Sequence, residues 1–475
     1  MKPFQNEKNT DTNTLKTINK TFWPLYLLNG FESIGFGSFV VLVVPLSLLF
    51  WPNEPYHALE LGILITTLFW SGSFSGLFIG RLVDKYSRRL IIFILSLFRG
   101  IPMILLGFVN PGQGAETWLY FLIFVFIFGS ASGGMWPAVM SLADDEIPKG
   151  KRSRFFGYYE IVRNISTVTG YLIASYLVEN GFWRQLFWGI GIAIIILGVI
   201  FYNHIDEPKR GAQREELAHL VQYSIEYDFE IDKKIMKKTM LSKTNVVALI
   251  EGISTMILLG SINFLILPYV QSPPINISPF STSVFLVVFG LSGGLLGTIF
   301  LADLSDKVSK DHPIRRIPII IFSITGGLIT FSLFFHFPWP HFTPGEGSNV
   351  LFLMSNGRIW IMGALFFTSR SIFSLYVVNQ APVLQEINLP EAQGQIVSWN
   401  QFLESLGRGI GPIICGILLG LTQNNYPLVS TFLIFFIVPG TLLWLFALRW
   451  FPGDRKNIKK ILAERAEKLN IEKKH

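Results

Sequence analysis

The chain has 475 residues, of which half are apolar and 15% charged, whereas a soluble domain carries about a quarter charged residues. A single cysteine, Cys415, excludes an intramolecular disulfide and a cysteine-rich metal site. The net charge of +7 is gathered in a few segments that alternate with long uncharged runs, a pattern of membrane orientation rather than of nucleic-acid binding. Residues 1–21 are polar and lack the apolar core and cleavage site of a secretory signal, so a disordered cytoplasmic tail is expected there.

Apolar runs long enough to cross a bilayer, which takes roughly 20 residues, then follow in order. They are Phe22–Phe50, Leu61–Leu82, Leu90–Val109, Thr117–Leu142, Phe155–Val178 and Phe182–His204, then Asn245–Val270, Thr282–Ala302, Ile317–Phe337, Gly357–Leu384, Ile396–Leu421 and Leu428–Phe451. The predicted architecture is an all-α membrane protein with twelve transmembrane helices in two six-helix bundles, 22–204 and 245–451. A cytoplasmic linker, 205–244, separates them, and a basic cytoplasmic tail, 452–475, follows.

The loops after the second, fourth, sixth and eighth spans are basic, with Lys85, Arg88 and Arg89 in the first and Lys307, Lys310, Arg315 and Arg316 in the last. The intervening loops 51–60, 110–116, 271–281 and 338–356 contain no Lys or Arg. Basic loops stay on the cytoplasmic side, which predicts both termini there, in the cell membrane. Trp51, Trp118, Trp183 and Trp339 flank spans and read as interface anchors.

The heptad Leu82-Val83-Asp84-Lys85-Tyr86-Ser87-Arg88 returns as Leu304-Ser305-Asp306-Lys307-Val308-Ser309-Lys310, each copy closing a Gly-rich span and opening a basic loop. Gly80-Arg81-Leu82-Val83-Asp84-Lys85-Tyr86-Ser87-Arg88-Arg89 resembles the loop signature of the major facilitator superfamily, with Ser87 where Gly is usual. Leu61-Gly62, Pro148-Lys149-Gly150-Lys151-Arg152 and Phe182-Trp183-Arg184 extend the likeness. An acidic residue in the first span and the form of the tenth and eleventh are similar to Spinster-like lipid transporters. The fourth span lacks an internal Arg, and the fifth has Gly170 without the Gly-Pro of drug–proton antiporters.

The resemblance implies a secondary transporter working by alternating access, with a conformational latch at Gly80, Asp84, Arg88, Arg89, Asp306 and Lys307. Asp84 would accept hydrogen bonds at a helix N-terminus, that of the eleventh span, and Arg88 would pair with Asp144, Asp145 or Glu146. The alternative is a solvated basic loop that only sets topology. Ionisable residues inside spans are costly and therefore candidates for a substrate or proton site. These are Glu32, Arg99, Glu160, Arg163, Glu251, Arg370, Glu404 and Arg408. Glu32 lies about ten residues into its span, near mid-membrane at 1.5 Å per residue. The Glu160/Arg163 and Glu404/Arg408 spacings put each pair on one helical face, so mutual neutralisation is the competing reading. Tyr158, Tyr159, Asn164, Asn263, Asn379, Gln380, Asn400 and Gln401 either line a cavity or bond helices together.

The expected partners are the bilayer, a small-molecule or lipid-like substrate and a coupling proton, with no nucleic acid, and the chain is expected to be a monomer. No nucleophile–base pair, metal-ligand spacing or phosphate-binding loop is visible, so no enzyme and no cofactor are expected. The rival readings are a lipid or lysolipid transporter with lateral substrate entry and a non-transporting membrane sensor.

Overall fold

The computed structural model describes residues 3–207, 236, 239–389 and 392–472, and all regular structure in them is helical. Helices satisfy every backbone polar group internally, as hydrocarbon requires. In the first half these are α1 (Pro3–Val41), α2 (Val43–Phe50), α3 (Ala58–Lys85), α4 (Arg88–Leu106), α5 (Ala115–Glu146), α6 (Lys149–Glu179) and α7 (Trp183–His204). The second half has α8 (Lys243–Gln271), α9 (Pro279–Ser309), α10 (Arg316–His336), the short α11 (Pro344–Ser348) and α12 (Val350–Ser355), α13 (Gly357–Glu386), α14 (Gln393–Leu421) and α15 (Tyr426–Glu472). Within α9, Leu286–Leu291 and Gly297–Leu301 wind as π-helix.

Helices cover all twelve predicted apolar segments, but among the described residues ten are long and apolar enough to span, or eleven counting α1–α2 as one span bent by 67°. The bend has a local cause: Pro45 cannot donate to Val41, the last residue of α1, and its ring crowds that carbonyl. The predicted fifth span lies in α6, which is 31 residues long. Its Glu160, Arg163, Asn164, Ser166, Thr167 and Thr169 keep it below the apolarity of the others.

One expectation for the ends is corrected, and the other end is extended as helix. The N-terminal residues continue the helix of the first span back to Pro3 instead of forming an irregular tail. Extending a formed helix adds one hydrogen bond per residue without a new nucleation cost. The last span likewise runs on to Glu472 in one 47-residue helix. Its base is held because the Thr244 N–H and hydroxyl donate to Asp454 (3.0 and 2.6 Å), and Arg455 donates to Glu386 (2.6 Å). Ile458, Ile461 and Leu462 then pack on Met240, Leu389 and Ala392. Most of the predicted linker, residues 208–235, lies outside the described residues.

The chain divides into two compact units, Met1–Gln222 and Tyr223–His475. In the first, α1 packs on α6 and α7, α3 on α5, and α4 on α5 and α7; in the second, α8 packs on α14 and α15, α9 on α13, and α10 on α13 and α15. The same pairing scheme thus occurs twice, and the repeated Leu-x-Asp-Lys heptads end equivalent helices, α3 and α9. Small residues allow the closest of these approaches. A Cβ on Gly72 or Gly76 of α3 would reach 3.0 Å from the carbonyl oxygen of Gly129 or Gly133 on α5. In the second unit Gly411 of α14 sits against the Ile257 carbonyl of α8, 2.6 Å from where its Cβ would be.

Trp339 is not an interface anchor. It is 5% exposed, its indole N–H donates to the Phe334 carbonyl (3.0 Å), and it packs among Phe285, Phe334 and Tyr269. Arg184, in the first turn of α7, donates to the carbonyls of Gly107 and Val109 (3.2 and 3.3 Å) just after α4.

Candidate functional site

Glu32 of α1 and Arg99 of α4, separate candidates in the sequence, form one salt bridge between Oε2 and Nη1. Both are buried, at 4% and 7% exposure. The Arg99 guanidinium lies 5.6 Å from the centre of the Phe128 ring on α5, and the Tyr159 ring of α6 is buried beside the pair. One turn before Glu32, Asn29 donates to the Tyr159 carbonyl (2.9 Å), which ties α1 to α6 at this level. Glu32 Oε1 and Arg99 Nε have no hydrogen-bond partner among the described residues. The pair is therefore neutralised but not saturated, a costly arrangement in a low-dielectric interior.

Glu160 and Arg163 meet within α6 (Oε2–Nη2 2.5 Å), as their three-residue spacing predicts. About half of the Arg163 side chain is exposed, and Tyr158 and Asn164 are exposed near it.

Arg88, the signature arginine, is 1% exposed and lies between two acids of its own unit. Its Nη2 is 2.7 Å from Asp145 at the end of α5, one of the three partners expected, and its Nε is 2.9 Å from Glu207 beyond α7. Ser87 caps α4 by accepting from the Leu90 N–H (3.2 Å) and donates its hydroxyl to Glu207 (2.6 Å). The N–H groups of Arg88 and Arg89 also donate to Glu207 (3.1 and 2.9 Å). The Arg89 guanidinium stacks over Tyr202 at 4.2 Å. A Cβ on Gly80 would meet open space, and the side chain of Asp84 lies outside the described set.

Burial alone would push the Glu207 carboxyl up, but the Ser87 hydroxyl, the two N–H groups and the Arg88 charge outweigh it and hold it below its ordinary range. A depressed carboxylate stabilises the fold above its unfolded pKa and loses that contribution as the pH falls through its folded value. Glu207→Gln should therefore lower stability at neutral pH by about 1 kcal/mol, the scale of a lost N-terminal cap. Thermal melts of parent and variant in detergent should converge on acidification; an equal gap at both pH values would reject this account.

In the second unit Glu251 of α8 has no exposed surface, and the Thr255 hydroxyl donates to it. Glu404 of α14 does not repeat the tight pairing of Glu160; it accepts from Asn400 (2.8 Å), which is bonded to Gln380 of α13 (3.2 Å). Arg408 donates to the Met256 sulfur (3.4 Å), and Arg370 lies over the Phe366 ring at 5.7 Å. Asp306 accepts from Arg316 (2.7 Å), which also reaches Asn379 (3.0 Å), itself bonded by Ser305 (2.7 Å). Lys307 pairs with Asp303 (2.6 Å) on an exposed helix surface.

The candidates thus fall into a buried pair, a half-exposed pair and a capped arginine in the first unit, with a polar network in the second. The sequence reading missed Glu207, Asn29 and Thr255. Glu207 carried a usable signal, as an acid just beyond a span facing a basic loop.

The family model of the Major Facilitator Superfamily matches residues 22–412. A multi-drug resistance efflux pump PmrA homolog of Lactococcus lactis is 30% identical over 135 residues, 28% of this chain and 32% of that protein. The benzoate transport protein of Acinetobacter baylyi is 25% identical over 178 residues, 36% of this chain and 35% of that protein. The aligned stretches span about a third of these curated relatives. A bacterial homologue of the human lysosomal transporter Spinster superposes with a TM-score of 0.67 at 15% identity, covering 92% of this chain and 98% of that one. A D-xylose–proton symporter does so at 0.59 and 15%, covering 89% and 97%. At such identities the likeness is one of fold.

Proposed function

The chain belongs to the Major Facilitator Superfamily, a family of membrane transporters, and from that premise we propose that it moves a small organic or amphipathic solute by alternating access, coupled to protons. The observation that carries this reading is the buried, unsaturated Glu32–Arg99 pair. Protonating Glu32 would free Arg99 for an anionic group of the substrate, and releasing the substrate would restore the pair. A charge within a span has to look onto protein or water rather than lipid. The half-exposed Glu160–Arg163 pair on α6 therefore supports a polar pathway along that helix. Gly80, Asp84, Arg88 and Arg89, with Asp306 and Lys307, act as the conformational latch, and the Arg88–Asp145 contact supports this role. Both termini are cytoplasmic, in keeping with the basic loops.

The test is flux in proteoliposomes loaded with a panel of labelled organic anions, zwitterions and a lysolipid, with and without an imposed pH gradient. Flux of at least one soluble solute above that of empty liposomes, increased by the gradient, is expected. Movement of the lysolipid alone would replace the substrate class with a lipid entering sideways. No movement of any compound would favour a sensor on the same fold.

A further inference from the structure

Glu251 differs from Glu32 in one respect: among the described residues no Lys, Arg or His lies within ion-pair distance of its carboxyl. Three donors surround it instead. The Thr255 hydroxyl donates from one turn along α8. The Tyr376 hydroxyl of α13 and the Trp444 indole N–H of α15 lie beside the carboxyl on fully buried side chains, the Tyr376 hydroxyl also near Thr255, and neither completes a hydrogen bond among the described residues. From α14, Glu404 bears on it with a like charge, and Arg408 bears on Glu404. The stretch of α9 packed against α8, Pro279–Phe285, carries no titratable group, and α15 supplies only the tryptophan.

This surrounding fits two protonation states. An ionised carboxylate can accept from all three donors, which offsets part of its desolvation. A neutral acid can turn its own O–H onto the Tyr376 oxygen, since a phenol both donates and accepts. A metal cation fits neither, because the tryptophan N–H only donates while such ions need oxygen acceptors. Glu404 is half-buried and joined to Asn400 and Gln380. That chain runs past Gly252, where a Cβ would be 3.2 Å from Gln380 Nε2 and 3.6 Å from Glu404 Cγ. It therefore lies against the turn that carries Glu251.

We propose that Glu251 is a second proton-carrying group, set by Thr255, Tyr376 and Trp444, biased by Glu404, and separate from the Glu32–Arg99 pair of the other unit. Its occupancy does not depend on which solute is carried, so it can be tested without a substrate and stands or falls apart from the transport reading.

The experiment is infrared difference spectroscopy of the full-length protein in lipid nanodiscs, titrated with pH in H2O and in D2O. A protonated-carboxyl C=O band that disappears with rising pH is expected, present in Glu32→Gln and absent from Glu251→Gln. Tyr376→Phe removes a donor to the ionised form and should move the midpoint up by about 1 pH unit or more. Glu404→Gln removes a like charge and should move it down. A titration in Glu251→Gln identical to the parent would overturn the proposal. If Glu251→Gln is not recovered folded, Tyr376→Phe decides alone, and an unmoved midpoint there rejects the site.

Discussion

Arg99→Met should destabilise the detergent-solubilised protein by about 3–5 kcal/mol, because removing one partner of a buried ion pair leaves the other uncompensated. Glu32 is 4% exposed, and the described structure offers it no second cation. Glu32→Gln strands the arginine in the same way, although Arg99 keeps its contact with the Phe128 ring, so its loss should be smaller. The double variant Glu32→Gln/Arg99→Met should recover much of the stability, since an apolar replacement of a whole buried pair is often neutral or better. Apparent melting midpoints of the four proteins close a double-mutant cycle. Strictly additive losses would show that the pair is not an energetic unit. In proteoliposomes the double variant separates stability from use, and it should fold yet lose the response of flux to a pH gradient.

Gly133→Val should disrupt the first unit comparably. A Cβ at Gly133 would fall onto the carbonyl oxygen of Gly72, which is backbone and cannot swing aside, and one at Gly129 would meet Ser71 and the Leu68 carbonyl. Overpacking of this kind costs about 1–3 kcal/mol for small additions and more when backbones must separate. Gly133→Ala should fall in that range and Gly133→Val above it, read as melting midpoints in detergent. Gly189 on α7 provides the control. A Cβ there meets nothing, and Gly189→Ala should be neutral or slightly stabilising, by up to about 1 kcal/mol, through helix propensity. Equal effects at positions 133 and 189 would contradict the close α3–α5 approach.

The helices were legible because hydrocarbon leaves the chain so few options. The internal kinship was legible from Asp84 and Asp306, and the packing scheme repeats from unit to unit around the helices that carry them. Spacing within one helix was equally readable, so Glu160 and Arg163 meet as expected. Glu404 and Arg408 also share a face and their charges act on each other, but they do not close into a direct contact like that of Glu160 and Arg163. An asparagine one turn earlier supplies Glu404 with a donor, and spacing says nothing about competing partners. Glu32 and Arg99 lie 67 positions apart on different helices, and only tertiary packing brings them together. Tyr376 and Trp444 read as apolar bulk in a sequence, which hides the single donor each carries. The polar stripe of α6 lowered its apolarity without breaking the helix, because backbone bonds rather than side chains hold a helix together in lipid.

The continuation of α15 beyond its apolar part gives the molecule a braced arm. From Pro452 to Glu472 the helix extends roughly 30 Å at 1.5 Å per residue, and about its first three turns are fastened to the rest of the unit. Asp454 and Arg455 tie it to the start of α8 and the end of α13, and Ile458, Ile461 and Leu462 tie it to Met240, Leu389 and Ala392. A shift of the last span against α8 or α13 would have to break or carry these contacts, so cargo fused at the C-terminus would pull on the same joint.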